Sequence, residues 1–294
     1  MPVAALSARW TQVRARVVGQ DDRGANHHWL EIDVPRGFGV PAPGQFVQLL
    51  IDPTGSAALL PRPMSVAACR RTGPGLRLGF LYVPVGTGTR ALAALGAGAS
   101  LEVLGPLGHG FPLDQPGTPV LVAGGRGVAP LLFAADALGQ AGRRCEFLFG
   151  ARRRDQLVAL AAARAALRRL GGRMHLSTDD GSAGRRGHVV ALLEQVAARL
   201  EPPLVVHACG PHAMLAAVAR WSLARGVPAH LAMESIMACG TGVCRGCPLP
   251  RSARARAAYR RAPGPSLFGN EEWAMCCTEG PVFEAAELDW ERVE

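Results

Sequence analysis

The stretch MESIMACGTGVCRGC, residues 233–247, determines how the rest of the chain is interpreted. It sets Cys239, Cys244 and Cys247 in a C-x4-C-x2-C spacing, and a fourth candidate, Cys277, lies near the C-terminus. Plant-type 2Fe-2S clusters use this spacing with a distant fourth cysteine. The interspersed glycines let backbone N–H groups approach sulfur closely and allow turns with positive φ. The stretch therefore predicts a 2Fe-2S site.

A structural zinc site is the alternative for these thiols, and it would make the chain a zinc-binding interaction protein. Zinc ribbons favour C-x2-C pairs at both ends of the site. The four-residue spacing and the small, glycine-rich filling favour the cluster instead. A disulfide framework is disfavoured, because nothing else in the sequence resembles a secreted protein.

Length and composition set the remaining bounds. A chain of 294 residues with 49% hydrophobic residues predicts about two domains with room for a small third. No apolar run is long enough to cross a membrane, and the N-terminal residues lack a signal-peptide core. We expect a cytoplasmic protein whose cysteines are reduced or bound to metal.

The chain is basic, with a formal net charge of +9, and every basic residue is arginine. Such a surface suits nucleic acid or an acidic protein partner. Only 5% of the residues are aromatic, and they do not alternate with basic residues. A protein partner is therefore favoured over nucleic acid.

The first third of the chain predicts a β-barrel over residues 1–115. Its segments are short, rich in valine and leucine, and separated by glycine, proline and aspartate turns. The predicted strands are WTQVRARVVGQ, HHWLEIDVP, GQFVQLLID, MSVAACRR, LRLGFLYVPV and SLEVLGPLG.

Two motifs in this part suggest an anion site. The sequence RPMS, residues 62–65, combines a cation, a rigid turn and a hydroxyl, and GTGT, residues 86–89, precedes the predicted short helix ALAALGAG. A glycine loop at a helix N-terminus offers free N–H groups to a phosphate. Either motif alone is also compatible with an ordinary surface turn.

Residues 116–228 predict an α/β domain with a parallel sheet, because strand-like and helix-like segments alternate from TPVLVAGG onward. Ligands of such sheets bind at the carboxyl ends of the strands. The segments GGRGVAP, GARRR, TDDGSAG and CGPHAM should meet there. The glycine turn suits a pyrophosphate but is not the Rossmann G-x-G-x-x-G, and a packing role for its glycines is the alternative.

Taken together, these motifs resemble the ferredoxin–NADP reductase-like flavoproteins, in which a flavin-binding barrel precedes a pyridine-nucleotide domain. RPMS resembles their flavin signature, with Met64 in place of an aromatic residue. A closer resemblance, spanning nearly the whole chain, is to electron-transfer subunits of NAD-dependent dihydroorotate dehydrogenases. The residues that carry it are RPMSV, LGPLGHGF, TDDGS, CGPHAML, MESIMACGTGVCRGC and CTEGPVF.

The resemblance implies three sets of site residues and no catalytic side chain. Cys276 adjoins Cys277, which is preferred as the fourth cluster ligand because it begins CTEGPVF. Residues 229–294 would form the small cluster domain. FAD would be bound by Arg62, Pro63, Met64, Ser65, Leu81, Tyr82, Val83, Gly88 and Thr89; the nicotinamide nucleotide by Gly124, Gly125, Gly127, Cys209, Gly210 and Pro211; and the 2Fe-2S cluster by Cys239, Cys244, Cys247 and Cys277.

Within these sets, individual roles follow from the same resemblance. Arg62 would neutralise a pyrophosphate charge, and Ser65 would hydrogen-bond near the flavin ring. Thr89 would donate its hydroxyl proton to phosphate. Tyr82 would present its ring or backbone to the flavin, or else be a half-buried barrel residue.

The implied function is an electron relay. As the resemblance implies, a partner subunit with FMN would oxidise dihydroorotate to orotate in pyrimidine biosynthesis, and electrons would pass through the cluster and FAD to NAD, which would require a hetero-oligomer. NAD is favoured over NADP, because Asp179 and Asp180 would repel a 2′-phosphate, although Arg152, Arg153 and Arg154 oppose this choice. The alternative is a ferredoxin- or hydrogenase-type NAD(P)H oxidoreductase subunit with another partner.

The resemblance leaves one segment unexplained. Residues 248–275 are longer than expected for the family and carry five arginines between Arg251 and Arg261. The sequence predicts an exposed basic loop there. It is either a solvated insertion or a docking arm for an acidic partner or an anionic ligand.

Overall fold

The computed structural model describes residues 10–51, 59–73, 75–261 and 269–293. Its first part is an antiparallel sheet of seven strands in the order β4-β3-β7-β1-β2-β6-β5. One short helix, α1, precedes the last strand. The elements are β1 (Thr11–Asp22), β2 (His28–Pro35), β3 (Phe46–Leu50), β4 (Arg62–Ser65), β5 (Ala68–Thr72), β6 (Gly75–Tyr82), α1 (Thr87–Ala93) and β7 (Ser100–Leu107).

This sheet is curled, as its connectivity requires. Its two edge strands, β4 and β5, are separated in sequence only by Val66 and Ala67. A flat sheet of seven strands would hold its edges about 29 Å apart. Three Cα–Cα steps span at most about 11 Å, so the edges must approach each other. The barrel prediction is thus confirmed as a curled antiparallel sheet.

Two details of the predicted barrel were wrong. The single strand predicted over MSVAACRR is two strands, since the chain turns at Val66, whose N–H bonds the Gln45 carbonyl at 3.2 Å. The GTGT segment does not precede the helix but forms the first turn of α1.

The second part is the predicted α/β domain. Its sheet has the order β11-β10-β9-β8-β12-β13-β16, with every pair parallel except β13–β16. The elements up to β13 are β8 (Thr118–Gly124), α2 (Val128–Gln140), β9 (Glu146–Ala151), α3 (Leu160–Leu170), β10 (Arg173–Thr178), β11 (Arg185–Arg186), α4 (Val189–Ala197), β12 (Leu204–Cys209), α5 (His212–Arg225) and β13 (Ala229–Ala232).

The strand order has one topological switch point. From β8 the chain proceeds to β9 and β10 on one side, and β12 then returns to pair with β8 on the other side. In open α/β sheets, a crevice forms at such a point, outside the carboxyl ends of the strands. The predicted helix after β9 is shorter than expected, because residues 154–156 form a separate 3-10 turn.

The C-terminal part is tied into the parallel sheet. Its elements are β14 (Pro248–Pro250), α6 (Ala253–Arg261), β15 (Trp273–Met275) and β16 (Val282–Glu284). Strand β16 pairs with β13, and β14 pairs with β15 as a separate two-stranded sheet. The prediction of a basic loop in this part was wrong for residues 253–261, which form helix α6. The division of the chain at residue 229 stays a prediction, since β13 continues the sheet of the preceding part.

Alternating side chains explain the strands, and continuous apolar runs explain the buried sheet. Strand β2 buries Leu30, Ile32 and Val34 in one core while the residues between them are partly exposed. In β12 all six residues are buried, as expected for a parallel strand covered on both faces. Among the described residues, no helix is long and apolar enough to cross a membrane.

One buried residue of β12 is polar and unpaired. Neither ring nitrogen of His207 has a hydrogen-bond partner within the described ranges, and the residue has no solvent exposure. Its ring stacks on His230 at 5.5 Å and contacts Phe111 edge-on. Burial, reinforced by the charges of His230 and Arg143, lowers the pKa of His207 to about 3.

This burial predicts a pH-dependent stability. Between about pH 6.5 and pH 3 the unfolded chain binds a proton at His207 that the folded chain excludes. The contribution of neutral His207 to the free energy of unfolding is therefore complete above about pH 6.5. It decreases as the pH falls, by up to about 1.4 kcal/mol per pH unit. When the free energy of unfolding is measured with urea between pH 7 and pH 4, it should decrease less steeply for His207→Phe than for the unsubstituted chain. His109→Asn, at an exposed site, is the control, and equal slopes in all three proteins would contradict this origin.

Candidate nucleotide, flavin and thiol sites

The crevice at the switch point is formed by two turns. One follows β8 as a single 3-10 turn over Gly125–Gly127, and the other joins β12 to α5 through Gly210 and Pro211. Strands β8 and β12 are adjacent and in register from Leu204 opposite Thr118. The predicted nucleotide residues are therefore brought together at one end of the sheet.

The glycines of these turns serve different purposes. A Cβ placed on Gly127 would lie 2.1 Å from the Cys209 carbonyl oxygen, and one on Gly210 would lie 2.6 Å from the Met214 side chain. Close approach of the Cys209 backbone requires glycine at position 127, whereas the atom nearest to a Gly210 Cβ is the flexible end of the Met214 side chain. Gly125 has a φ of +53°, and no atom would lie within 4 Å of its Cβ. Of these three glycines, Gly125 is therefore the one where a ligand has room to approach the backbone.

An acidic residue that the sequence analysis missed also lies at this crevice. Glu234 follows β13, and its carbonyl oxygen is 2.8 Å from a ring nitrogen of His212. Burial, reinforced by the charge of Glu234, raises the pKa of the Cys209 thiol. The position could have been found by recognising LAM as a strand, because Glu234 then follows a carboxyl end.

The loops after β9 and β10 pack against each other at the same edge of the sheet. The Arg154 N–H donates to the Ser182 hydroxyl oxygen at 2.9 Å, and Asp180 accepts both the hydroxyl and the N–H of Ser182. These hydrogen bonds lower the pKa of Asp180. Arg153 pairs with Asp155 at 2.9 Å, so one of the three predicted cations is already matched by a carboxylate.

The predicted flavin residues form a cradle on the curled sheet. The guanidinium of Arg62 lies against the first turn of α1, because a Cβ on Gly88 would lie 2.1 Å from the Arg62 Nε. Met64 is buried in the core of the curled sheet, with Leu30 and Ile32, whereas Ser65 beside it is exposed. The RPMS strand and the GTGT turn, far apart in sequence, are thus adjacent.

Two predicted flavin contacts are already occupied by the protein. The Thr89 hydroxyl donates to the Gly86 carbonyl oxygen at 3.1 Å and accepts the Gly86 N–H at 3.0 Å, so both its proton and its oxygen are engaged at the start of α1. The Tyr82 ring is buried in the core of the curled sheet, and its hydroxyl donates to the Gln20 side-chain oxygen. Burial raises the pKa of Tyr82 to about 12. The barrel-residue interpretation of its side chain is the better one, and its backbone borders Leu81 and Val83.

The four predicted cluster cysteines form two pairs of thiols. The sulfur atoms of Cys239 and Cys244 are 3.3 Å apart, and those of Cys247 and Cys277 are 3.2 Å apart. Across the described ranges, no three Cys, His, Asp or Glu side chains are grouped as a metal site. The two-and-two arrangement differs from the single tetrahedral group of a structural zinc site.

Backbone N–H groups point at these sulfur atoms. Those of Thr241 and Cys244 lie 3.4 and 3.5 Å from the Cys239 sulfur, and that of Cys277 lies 3.4 Å from the Cys247 sulfur. Burial raises the pKa of Cys239, but these N–H groups outweigh it and lower the value to about 6. The surroundings therefore stabilise negative charge on sulfur.

The adjacent Cys276 faces the other way. Its sulfur is 3.9 Å from the Met233 carbonyl oxygen, it has no solvent exposure, and burial raises its pKa. Its own N–H bonds the Cys247 carbonyl at 2.9 Å. Of the two neighbours, only Cys277 brings its sulfur to the other thiols.

The thiol loop is docked directly on the flavin-type sheet. A Cβ on Gly240 would lie 2.8 Å from the Gln48 side chain, whose amide nitrogen is 3.5 Å from the Ala238 carbonyl oxygen. Gln48 belongs to β3 and lies opposite Pro63 of RPMS. This buried amide was not predicted, because nothing in the apolar pattern of its strand indicates a polar contact there.

Comparison with known proteins agrees with this geometry. Residues 121–220 match the oxidoreductase NAD-binding domain family. The chain is 33% identical over 251 residues to the dihydroorotate dehydrogenase B (NAD(+)) electron transfer subunit of Listeria monocytogenes, covering 84% of this chain and 87% of that protein. It is 30% identical over 267 residues to the subunit of the same name from Desulforamulus reducens, covering 90% and 94%.

Solved structures show the same fold. A chain of an NADH-dependent reduced ferredoxin–NADP oxidoreductase has a TM-score of 0.76 and 25% identity, covering 95% of this chain and 90% of that chain. The ferredoxin reductase in carbazole 1,9a-dioxygenase has a TM-score of 0.61 and 22% identity, covering 76% and 69%.

The curled antiparallel sheet, the nucleotide crevice and these matches define a ferredoxin–NADP reductase-like oxidoreductase that uses a flavin and a nicotinamide nucleotide. The resemblance seen in the sequence motifs is confirmed. The chain belongs to the family of dihydroorotate dehydrogenase B (NAD(+)) electron transfer subunits.

The two glycines of the β8 turn predict unequal effects of the same substitution. Gly127→Ala should lower the free energy of unfolding by about 2 kcal/mol or more, because its Cβ would strike the backbone of the neighbouring turn. Gly125→Ala should cost only about 1 kcal/mol of backbone strain. Urea denaturation of the two variants measures the difference. Similar losses in both would show that packing between the turns is not the constraint.

Proposed function

We propose that the chain is the electron-transfer subunit of an NAD-dependent dihydroorotate dehydrogenase complex. The observation that carries the proposal is the presence in one chain of paired thiols, a flavin-type cradle and a nucleotide crevice. The Gln48–Ala238 contact joins the thiol loop to the flavin-type sheet. The names of the relatives support the same role for this chain.

The cradle fits FAD in two respects. Arg62 and the first turn of α1 offer a cation and a Cβ-free backbone position at Gly88, which suit a pyrophosphate. Among the described atoms, the buried Gln48 Oε1 has no hydrogen-bond partner, and it belongs to the strand beside RPMS. We assign FAD to the predicted residues, with the backbone rather than the hydroxyl of Thr89 as the phosphate contact.

The thiol pairs fit a 2Fe-2S cluster. Each of its two irons takes two cysteines, as Cys239 with Cys244 and Cys247 with Cys277 would supply. The N–H groups directed at sulfur would set its potential. Together the two cofactors, when bound, supply the conversion between two-electron hydride chemistry and one-electron transfer. The side chains position the cofactors and exclude water, and no acid or base is required of them.

The nucleotide would occupy the crevice between the β8 and β12 turns, with Gly125 as the open approach to its phosphates. NAD is proposed rather than NADP. Asp179 and Asp180 lie at the carboxyl end of β10, and Arg153 is matched by Asp155. A 2′-phosphate there would meet two carboxylates.

The proposed partner is the FMN-containing catalytic subunit that oxidises dihydroorotate. It would approach the outermost thiol, Cys244, which is exposed. Two large apolar side chains near it in the sequence, Ile236 and Val243, are 87% and 72% exposed. Exposed apolar residues beside a redox site are typical of a surface that a partner covers.

A second candidate function keeps the relay and changes the partner. The structural similarity to the NADH-dependent reduced ferredoxin–NADP oxidoreductase extends over 95% of this chain. An acidic one-electron carrier is the partner in that case. The zinc-binding alternative is not favoured by the two-and-two arrangement of the thiols.

Serine substitutions at the adjacent cysteines test the cluster assignment. Cys277→Ser should abolish the visible absorption of the cluster and retain that of FAD. Cys276→Ser should retain both, because its sulfur faces Met233. Cys244→Ser should behave like Cys277→Ser. Anaerobic purification with visible spectroscopy and iron analysis measures this, and a normal cluster in Cys277→Ser would refute the assignment.

Reconstitution tests the proposed partner. The chain is co-expressed with the FMN subunit of the same host, and dihydroorotate-dependent NAD+ reduction is assayed. Activity is expected only with both subunits present and should be lost with Cys277→Ser but not with Cys276→Ser. A yellow-brown chain that oxidises NADH with dyes, yet forms no complex, would refute the dihydroorotate partner and favour the ferredoxin-type alternative.

A further inference from the structure

The unexplained segment between the third and fourth cysteines has a definite structure at both ends. It leaves Cys247 as β14 and returns as β15 just before Cys276, with Pro248 opposite Met275. Helix α6 lies between them. The two-stranded pairing therefore brings the two ends of the segment, and with them Cys247 and Cys277, together.

At the base of this segment Arg251 is buried, with 9% exposure. Its Nε donates to the Asn270 carbonyl oxygen at 2.8 Å, and its guanidinium forms an ion pair with Glu279. The ring of Tyr259, from α6, lies 5.1 Å from the same guanidinium. Arg251 thus connects three separated points of the chain.

Glu279 uses its second oxygen to fix the turn that holds the cysteine. This oxygen accepts the Met275 N–H at 2.8 Å, and the Met275 carbonyl accepts the N–H groups of Thr278 and Glu279 at 3.1 and 2.8 Å. Cys276 and Cys277 lie inside the turn closed by these bonds. Its orientation decides which of the two sulfur atoms faces Cys247.

We propose that Arg251 and Glu279 are positioning residues that hold the Cys277 turn against Cys247, and that helix α6 braces Arg251 through Tyr259. The inference rests on the proposed cluster site and gives the inserted segment a role. Arg251 and helix α6 of this segment would support the fourth ligand, Cys277, through Glu279. Another ion pair, Arg256–Glu272, connects α6 to the returning chain.

Removing one or the other of the two charges should shift the reduction potential of the cluster in opposite directions. A purely structural role would not produce opposite shifts. Glu279→Gln leaves the buried Arg251 cation uncompensated near the cysteines, which should raise the reduction potential of the cluster. Arg251→Gln leaves the carboxylate uncompensated and should lower it. The double variant should return the potential toward that of the unsubstituted chain. Arg251→Lys keeps the charge but not the Nε bond, so it should keep the potential.

The experiment uses the full-length chain with its cluster. Potentials are measured by redox titration, and cluster loss is followed as bleaching in the presence of an iron chelator. Glu279→Gln and Arg251→Gln should bleach about tenfold faster or more, as is typical when groups supporting a metal ligand are removed. Arg260→Gln and Glu271→Gln are the matched controls, since they break an exposed ion pair of the same helix.

A second readout needs no cluster. In the cluster-free chain, diamide takes two electrons and two protons from the Cys247 and Cys277 thiols and is reduced to the hydrazine, leaving a disulfide. Mass spectrometry of the cross-linked peptide gives its rate, which should fall about tenfold or more in both variants, because the two thiols are no longer held together, but not in the controls. Unchanged rates, with unchanged potentials, would overturn the inference. Failure of all proteins to bind a cluster, with the rates falling, would refute only the proposed function.

Discussion

The C-terminal segment from Cys276 to Glu284 is the constraint on which the arrangement of the three sites depends. Its strand β16 extends the parallel sheet beside β13. Its Gly280 carbonyl oxygen accepts a hydrogen bond of 2.6 Å from the N–H of His109, which follows the last strand of the curled sheet. Its Pro281 carbonyl accepts the Met233 N–H at 2.8 Å, where the thiol stretch begins. One short segment is thus hydrogen-bonded to all three parts and fixes how they lie relative to one another.

The same segment explains why glycines recur at this junction. Gly108 has a φ of +69°, and a Cβ there would lie 2.5 Å from Pro281. A Cβ on Gly280 would lie 2.3 Å from the Phe283 ring. Close packing within the protein, rather than ligand contact, therefore accounts for Gly108 of LGHGF and Gly280 of CTEGPVF.

Periodicity predicted the antiparallel and the parallel sheet, and cysteine spacing predicted the thiol site, whereas the flavin and nucleotide residues were predicted from the family resemblance. The C-x4-C-x2-C pattern and the β-to-βα change are local properties, so the sequence shows them directly. The split of MSVAACRR at Val66 could not be seen, because the curl that separates its halves depends on pairing with distant strands. The helix over residues 253–261 was not predicted, because a cluster of arginines is typical of a solvated loop. The carboxylates that pair with two of these arginines lie ten or more residues away in the sequence.

The roles of single polar side chains were the least predictable, and Arg251 shows why. A buried ion pair contributes little to stability in general, because desolvating two charges costs about as much as their attraction returns. Apolar residues of similar size would therefore serve a merely structural need as well. A directional pair is needed where one orientation must be chosen over another. The turn that contains Cys276 and Cys277 presents that choice, because only one of two adjacent thiols can face Cys247.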